Sequence, residues 1–585
     1  MTEKYITEGL TLLPKLPLPK LDQTFASLKK WRTPLLGVSE QNKLAEQIDA
    51  FQKSDAVELQ SYLNQRWVET NANWLSPILR HHYLSNRQPV QTKTNFGFTI
   101  SHDKLPHQDQ LTITAKLLQN FADQYLSYVT GTAPVEKGSD DKPIDMSSYL
   151  SFFRTQRQPG VGHDYLQKTR HTVNNVEATV IYHQTVYQIR LIDHAGRVST
   201  LHSLTEALTQ MMNNPDPDTF FIGAYTGLPR NDAAKLRQRL SSSELNQANL
   251  TRISDSLLTV TLLDPSQSLT PQSVLLGSQN RLFDKTTQVI VSSDAQIGFA
   301  FEHSQIDVQT ALRLVNSVVT KLDQTADQWD SKGKPHFQRL EWQLDHYTKE
   351  ALSEADRRNA EVAQGLEFAS KIVQAVGVEQ LQDLKVDSDA FAQISLALAE
   401  YRITGSWRNI SESTSMRQFY QGRAETVSTV TLEEKQFIEV FAAGARDAAT
   451  RQLFNQAVTA LAARMNLIQQ GFGIDSHLLG LATMMSQHGG KAAFPDADEF
   501  FHSPFLNQLV NDFFSTVRLP TDLIDTFVSS PASPNGYTIG YSPLKNQIAL
   551  SVSAWTSNDF EAEELLADIE DSLSTIFAWL TAERN

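Results

Sequence analysis

The chain has 585 residues, of which 40% are hydrophobic and 20% charged, and its formal net charge is −15. That length is too great for one hydrophobic core and predicts two or more domains, while the negative charge argues against nucleic acid or an anionic membrane surface as a partner. The absence of cysteine excludes disulfides, thiolate metal sites and cysteine nucleophiles. The lack of cysteine also fits the expected cytoplasmic location. No apolar run approaches roughly 18 residues and no signal-peptide pattern opens the chain, so we expect no transmembrane segment.

The N-terminal arm is rich in proline, Leu13-Pro-Lys-Leu-Pro-Leu-Pro-Lys-Leu21, and precedes a helical pattern at residues 22–28. Proline at this density favours an extended polyproline II segment, either a tail or a ligand for a proline-binding module. Farther along, the apolar spacing predicts the two strands of a hairpin, a helix, a buried strand and a second helix, at 178–182, 186–192, 200–213, 220–226 and 233–240.

Two short strands, Thr287–Val291 and Ile297–Phe301, are predicted around a polar turn. The second strand ends on Glu302-His303, and helical spacing of apolar residues begins shortly afterwards, at Val308. A histidine at such a junction is held by rigid elements on both sides, as a general base must be. The alternative is a buried structural histidine at a turn, and position alone does not decide between the two.

The C-terminal half begins after a polar segment with glycine and proline, Asp327–Phe337, which we predict to be the interdomain linker. Beyond it the pattern predicts four helices, two strands and a closing acidic helix, at 344–382, 389–401, 431–444, 446–470, 537–541, 547–552 and 561–578. Strands separated by helices in two halves indicate an α/β architecture with mixed sheets.

Seven motifs follow one another along nearly the whole chain. Asn280-Arg281-x-Phe283-Asp284-Lys285 with Glu302-His303 resembles the core signature of the choline/carnitine O-acyltransferases, and six further segments resemble the same family, at 13–24, 87–90, 145–160, 412–423, 474–481 and 536–554. The resemblance implies two similar domains of the chloramphenicol-acetyltransferase type with an active-site tunnel at their interface. We expect an N-terminal domain over 1–335 with the catalytic histidine and a C-terminal domain over 336–585 with the acceptor and coenzyme A motifs, residues 1–90 being able to pack on the latter.

The catalytic machinery implied by the resemblance has His303 as general base, because an alcohol must lose its proton as it attacks a thioester. Asp307 stands where the family usually has glutamate and is expected to position the imidazole. The family's oxyanion triplet, serine-threonine-serine, corresponds to Ser515, Thr516 and Val517, so the last hydroxyl is missing. Losing one oxyanion donor reduces the rate by about 100- to 1000-fold. Thr516, Ser515 or a water must therefore take over, or catalysis is poor.

The acceptor site departs from the family as well. The family holds the carboxylate of carnitine with a tyrosine, a threonine and an arginine, whose places are taken here by Ser411, Ala424 and Ser476, and Ser413 belongs to the same substrate-site motif. A serine hydroxyl does not replace a guanidinium charge. Carnitine is therefore not the expected acceptor unless Arg408 or Arg518 reaches the same spot, and a neutral or cationic alcohol is favoured.

Coenzyme A is the implied acyl donor, as a co-substrate and without a tightly bound cofactor. The family meets its 3′-phosphate with lysines ahead of a serine-proline-aspartate-alanine-phenylalanine segment, of which Asp389-Ala390-Phe391 remains. Val378 and Gln382 stand where the lysines belong. Lys385, or Lys371 after a local shift, is expected to cover the phosphate; weak donor affinity or a phosphate-free donor is the alternative.

Phe527 stands near the family position that gates the acyl pocket, and a large side chain there favours acetyl or another short chain. The expected protein is thus a monomeric acyl-CoA-dependent O-acyltransferase that acts on a small alcohol. The alternatives are a carnitine O-acetyltransferase with a rebuilt carboxylate site and a non-catalytic ligand-binding relative. His81-His82 and His488 lack the spacing of metal ligands, so no metal site is expected.

Overall fold

The computed structural model describes residues 13–70, 73–215, 220–277, 280–324, 334–374 and 376–582, with only the backbone at residues 508 and 509. The predicted linker at 327–337 lies largely outside these residues. Within them, no helix combines the length and the apolar character that a membrane crossing needs.

The described residues contain sixteen strands in three sheets. In chain order the strands are β1 Asn95–Ile100, β2 Thr155–Gln158, β3 Tyr165–Lys168, β4 Val176–Tyr182, β5 Thr185–Ile192, β6 Thr259–Leu262, β7 Thr287–Val291, β8 Ile297–Glu302, β9 Phe337–Arg339, β10 Leu366–Gln374, β11 Asn409–Ser415, β12 Ala424–Ser428, β13 Asp512–Arg518, β14 Ile524–Ser529, β15 Tyr537–Pro543 and β16 Gln547–Trp555.

The α-helices of the described residues lie between these strands and at both ends of the chain. They are Leu21–Arg32, Val38–Lys53, Asp55–Glu69, Leu75–Ser85, Val90–Lys93, Gln110–Thr130, Leu201–Met212, Arg230–Leu240, Glu244–Asp255, Pro271–Leu275, Val308–Val319, His346–Gln364, Val378–Asp383, Ser388–Thr404, Leu432–Ala442, Ala448–Gln469, Ile474–Gln487, Pro495–Phe501, Pro504–Val510 and Ala562–Ala582.

The first compact unit contains Arg80–Leu366 and Leu523–Ser530. Its large sheet has eight strands in the order β14-β1-β8-β7-β6-β4-β5-β9. β7 and β8 lie in the middle and are buried along their whole length, which explains why they contain continuous apolar runs instead of an alternation. The strand that leads to His303 is therefore buried and hydrogen-bonded to a neighbouring strand on each side.

The second compact unit contains Pro14–Leu79, Glu367–Asp522 and Pro531–Asn585. Its six-stranded sheet has the order β10-β16-β15-β13-β11-β12. By contacts, the chain passes from the first unit to the second at Leu366, later than the predicted boundary at residue 335. The separate segment Leu523–Ser530 has no counterpart in the two continuous domains that the sequence predicts.

The two large sheets contain the same arrangement of five strands. In the order β8-β7-β6-β4-β5, neighbours pair antiparallel, parallel, parallel and antiparallel. In the order β16-β15-β13-β11-β12, the pairs follow the same sequence. The chain also visits the five strands in the same order in both units, with β14 as the one insertion. This repeat confirms the predicted α/β fold of two similar domains with mixed sheets.

Most of the predicted elements around the core are confirmed, but two predictions are wrong. Residues 220–226 are not a strand: Ile222–Gly227 is a 3-10 helix, in which the Thr226 hydroxyl donates to the Gly223 carbonyl at 2.7 Å. The predicted helix 344–382 is also interrupted, because β10 occupies Leu366–Gln374 beside β16. In both places local bonding or strand pairing overrides the apolar spacing.

A buried carboxyl joins β12 to the helix Ile474–Gln487 in the second unit. Oε1 of Glu425 accepts the backbone N–H of Ser476 at 3.1 Å, in the first turn of that helix. A Cβ at Gly473 would collide with the same carboxyl group, so this helix start needs glycine. Burial raises the pKa of Glu425 to about 8, because a charged carboxylate loses hydration there.

We predict that Glu425→Gln flattens part of the dependence of stability on pH. The folded state holds this proton up to about pH 8, whereas the unfolded chain loses it near the ordinary glutamate pKa of 4.5. Wild-type stability should therefore fall as pH rises across that window, by up to about 1.4 kcal/mol per pH unit from this group. Urea unfolding of both proteins at pH 5 and pH 8 measures the difference. The exposed Glu46→Gln should show the wild-type slope, and an unchanged slope in Glu425→Gln would contradict the prediction.

Candidate active site

His303 lies in the turn between the end of β8 and the helix Val308–Val319. Its backbone N–H donates to the Thr94 carbonyl at 3.1 Å, which ties the turn to the start of β1. The imidazole stands edge-on to the rings of Tyr83 and Phe96, with centroids 5.0 Å and 5.5 Å away. The side chain is 22% exposed, so it is held on several sides and still open to a reactant.

The hydrogen bond of His303 Nδ1 decides the protonation of the ring. Nδ1 lies 2.6 Å from the carbonyl oxygen of Ile306. A carbonyl oxygen only accepts, so Nδ1 must carry the proton, and Nε2 of the neutral ring keeps its lone pair. Oδ1 of Asp307 lies 3.9 Å from Nδ1 and would stabilise a positive charge on the ring. This is the tautomer and the electrostatic setting that a general base needs.

A buried ion network lies directly behind the turn. Nη1 of Arg157 lies 3.1 Å from Oε1 of Glu302, the residue before His303, and its Nε lies 2.7 Å from Oδ2 of Asp164. Arg230 lies 2.7 Å from the same Asp164 oxygen and 2.8 Å from Oδ1 of Asp284. All five side chains are at most 1% exposed. The network therefore fixes the end of β8 through charges that water does not screen.

The Asn280–Lys285 motif is buried and bonds to neighbouring backbone groups. Oδ1 of Asn280 accepts the backbone N–H of Gln184 at 2.8 Å. Nζ of Lys285 donates to the carbonyls of Ile253, Ser254 and Ser256 at 2.6 to 3.1 Å. These carbonyls belong to the end of the helix Glu244–Asp255 and the residue after it, where a cation is favoured. Burial lowers the pKa of Lys285 to about 7.

In the second unit, one face of β11 and β13 contains three of the predicted oxyanion and acceptor residues. Ser411 and Ser515 are register partners on these parallel strands, and Val517 lies on the same face as Ser515 because side chains alternate. Thr516 points to the opposite face, where its hydroxyl donates to the Ser411 carbonyl at 2.8 Å and accepts from Gln393 at 3.0 Å. The Thr516 hydroxyl is thus committed, and Ser515 is the triplet hydroxyl beside Val517.

The three predicted carboxylate-binding positions do not lie close enough together for their short side chains to meet. Ser411 pairs with Ser428 on β12, whereas Ala424 pairs with Ser415, four residues farther along β11. At the rise of a strand this separates Ser411 from Ala424 by about 13 Å. Ser476 uses its backbone N–H on Glu425. The half-buried Ser413 lies between them on β11, opposite Thr426.

Asp389, predicted to bind coenzyme A, lies in a polar cluster at the carboxyl ends of β13 and β15. The Tyr541 hydroxyl donates to Oδ1 of Asp389 at 2.6 Å and lies 3.2 Å from Oε1 of Glu412. Nε of Arg518 lies 3.5 Å from Asp389. Burial and the neighbouring Asp389 raise the pKa of Glu412 to about 8. The charge of Arg518 is therefore partly offset by Asp389.

The remaining two predicted positions lie in different surroundings. Lys385 is exposed and has a left-handed backbone, φ 58°, in the turn before the helix Ser388–Thr404. Phe527 lies on β14 in the first unit, opposite Phe98 in the register. Its ring is 6.4 Å from that of Phe96, which contacts His303. An aromatic path thus leads from Phe527 to the imidazole.

Several residues that shape the site were not assigned a role by the sequence analysis. Arg157 lies inside a motif quoted for the family, and Tyr83, Phe96 and the Ile306 carbonyl lie in none. The signal that could have identified Arg157 is its burial, and a single arginine in the sequence does not reveal whether it is buried. Within the described residues, no group of three or more histidine, aspartate or glutamate side chains could hold a metal ion.

Comparison with known proteins establishes the class. The family model described as Choline/Carnitine o-acyltransferase matches residues 16–571. The chain belongs to this family and is an acyltransferase, and the family uses acyl-CoA as co-substrate.

Three relatives show how wide the resemblance is. The chain is 26% identical to carnitine O-acetyltransferase of Homo sapiens, over 93% of this chain and 90% of that protein. It is 25% identical to choline O-acetyltransferase of Sus scrofa, over 93% and 88%. It is 26% identical to the mitochondrial carnitine O-palmitoyltransferase 2 of Bos taurus, over 97% and 91%. Nearly equal identity to enzymes named for different acceptors and acyl groups leaves the substrate of this chain open.

We predict that Arg157→Met destabilises the protein by about 3–5 kcal/mol, because it leaves buried carboxylates without their partner. Chemical denaturation followed by tryptophan fluorescence measures the loss. The matched control is Lys137→Met, which breaks an exposed pair with Asp141 and should change stability by no more than about 0.5 kcal/mol. Equal effects of the two substitutions would show that the network does not hold the turn.

Proposed function

We propose that this enzyme transfers a short acyl group from coenzyme A to a small alcohol, with His303 as the general base. The observation that carries the proposal is the hydrogen bond from Nδ1 to the Ile306 carbonyl, since it leaves Nε2 as the basic nitrogen. Membership of an acyl-CoA-using family supports the donor. From the lack of cysteine and of any predicted span we also infer a cytoplasmic location, and we infer a monomer.

The reaction follows from the protonation of the ring. Nε2 takes the proton of the acceptor hydroxyl while the oxygen attacks the thioester carbonyl, and a tetrahedral intermediate forms. Asp307 favours the imidazolium that results, at 3.9 Å from Nδ1. When the intermediate collapses, the C–S bond breaks and the imidazolium returns its proton to the departing thiolate. The products are the ester and free coenzyme A.

Few hydroxyl groups are available to stabilise the oxyanion of the tetrahedral intermediate. Val517 has no hydroxyl, and the Thr516 hydroxyl is already bonded to Ser411. Ser515 lies on the same face as Val517 and donates to Asp512 at 3.3 Å, a long bond that a developing oxyanion could replace. We assign the oxyanion to Ser515 or to a water that it holds.

The substrates are proposed from the same residues. Without an arginine at Ser476 and with Arg518 beside Asp389, a carboxylate on the acceptor has no charged partner at these positions, so carnitine should be a poor acceptor. Lys385 is exposed and is the proposed contact for the phosphate of coenzyme A, with Asp389 near the donor. The ring of Phe527, packed towards Phe96, favours acetyl or another short acyl group.

A ligand-binding relative with little turnover is the second candidate. The loss of a hydroxyl at Val517 favours it, together with the commitment of the Thr516 hydroxyl. Thiol release from acetyl-CoA in the presence of a panel of alcohols separates the two candidates.

We predict that His303→Ala lowers turnover by roughly 100-fold or more, in line with general-base effects. Thiol release from acetyl-CoA measures the rate, and thermal unfolding checks the fold. The exposed His346→Ala is the control and should keep the wild-type rate. A folded His303→Ala protein with undiminished turnover would remove His303 from the mechanism.

We predict that Val517→Ser raises turnover by about tenfold, because a well-placed oxyanion donor lowers the barrier by roughly 2.7–4 kcal/mol and a tilted one by less. Loss of apolar surface should lower stability by about 1–2 kcal/mol at most, less at this half-buried position. The isosteric Val517→Thr tests the hydroxyl with little change of volume. If both variants fold and neither gains on any accepted alcohol, the oxyanion is met elsewhere.

A further inference from the structure

A carboxylate that the family resemblance did not point to lies next to the proposed acceptor position. Asn409 pairs with Asp512, and Ile410 pairs with Phe514, so Phe513 is an extra residue between them. Such a β-bulge turns the strand, and here it places Asp512 on the same face as Ser515. Oδ2 of Asp512 accepts the hydroxyls of Ser411 at 2.5 Å and of Ser515 at 3.3 Å.

The hydrogen bonds of Asp512 come from neutral groups alone. Besides the two serines, Nδ2 of Asn409 donates to Oδ1 at 2.5 Å. A carboxylate offers about four lone-pair directions, so three are used and one, on Oδ1, remains. Neutral donors orient a carboxylate without pairing with its charge, and the positive charge of Arg32 acts on Asp512 without a direct ion pair. Asp512 can therefore accept one more donor, and a cationic donor is the most favourable.

The arginines around Asp512 are engaged elsewhere. Among the ion pairs of the described residues none involves Asp512. The guanidinium of Arg32 donates to Oδ1 of Asn409 at 2.7 Å and pairs with Asp475 at 3.2 Å. That of Arg408 lies over the ring of Phe513, 4.6 Å from its centroid, on an exposed residue. Burial raises the pKa of Asp512 to about 6, which leaves it mostly ionised at neutral pH.

Asp512 also borders free space. A cavity of about 250 Å³ is lined by it together with Arg408, Trp407, Phe513, Ser533 and other residues of this end of the sheet. All of these residues belong to the second unit, at or near the amino ends of β11 and β13. The cluster at Asp389 lies at the opposite ends of the parallel strands, so Asp512 is at the end away from the proposed donor contact. The space is large enough for a small amine. It is bordered by one carboxylate and by one guanidinium, that of Arg408, which lies over the Phe513 ring.

We infer that Asp512 selects an acceptor alcohol that carries a protonated amine, whose N–H donates to Oδ1. This assignment rests on the proposed acyl transfer for its place in the reaction, but the binding of the amine does not. A quaternary ammonium has no N–H and would gain only the charge attraction. A neutral alcohol of the same shape would gain neither. Asp512 is a specificity-determining residue and takes no part in proton transfer to the hydroxyl.

The test is equilibrium binding to the full-length protein by calorimetry, with three alcohols of similar size. These are 2-(dimethylamino)ethanol, protonated at pH 7.5, choline, and the neutral 3,3-dimethylbutan-1-ol. We expect the amine to bind at least about tenfold more tightly than the neutral alcohol, as for a charge-assisted hydrogen bond, and more tightly than choline. Asp512→Asn should abolish both preferences. This variant should fold, because burial disfavours the charged form of Asp512 and the amide carries no charge. Asp496→Asn removes an exposed carboxylate of the same unit and should keep them.

The outcomes separate the two proposals. Equal binding of amine and neutral alcohol, or a preference that survives Asp512→Asn, overturns the role of Asp512. Choline binding as tightly as the amine overturns the N–H donor. If Asp512-dependent amine binding is found but no alcohol releases thiol from acetyl-CoA, the proposed acyl transfer fails and the amine site stands.

Discussion

The two buried arginines behind β8 are the constraint on which the candidate site depends. Arg157 and Arg230 between them meet three buried carboxylates, and one of these, Glu302, is the residue before His303. Burial is severe enough to raise the pKa of Asp284 to about 7. Such groups are tolerated only when they are paired, and breaking one pair affects all of them. The turn that carries the imidazole is thus held in place by a rigid, buried ion network.

The turn holds the imidazole of His303 in a fixed orientation. The backbone of His303 is tied to Thr94, and its ring is tied to Ile306, two bonds that do not depend on any substrate. A base that is already oriented needs no reorganisation when the reactant arrives. The same carbonyl that fixes the ring also chooses its tautomer, so position and protonation have one cause.

The repeated five-strand arrangement shows how one fold supports two kinds of site. β8 in the first unit ends at the proposed base, whereas β16, at the matching place in the second unit, ends at Trp555 without a histidine. β13 in the second unit has a bulge that places Asp512 on the same face as Ser515, while β6 at the matching place is a short, fully buried strand. The repeated strands supply the same scaffold twice, and each copy carries different functional residues on it.

Much of this could be predicted from the sequence where local pattern and environment agree. The strand at Thr287–Val291 and the abrupt start of the helix at Val308 are confirmed because the strand is buried along its whole length and the helix buries apolar residues at helical spacing. The prediction failed at β10, where pairing with β16 overrides a helical spacing. It also failed at Ile222–Gly227, where side-chain and backbone hydrogen bonds close a short helix. Asp512 went unnoticed because a one-residue bulge, invisible in the alternation of side chains, turns it onto the serine face.

The sequence by itself determined the family, the α/β architecture and the histidine that follows β8, since ordered motifs and apolar periodicity are properties of residues near one another in the chain. The tertiary structure alone decided which atoms meet. It brought Arg157 to Glu302 across 145 positions, put β14 beside β1, and placed Asp512 against Ser411, the position at which the family resemblance implies a tyrosine. Long-range pairing, burial of charge and strand register are set by the packing of distant segments, so no local pattern encodes them.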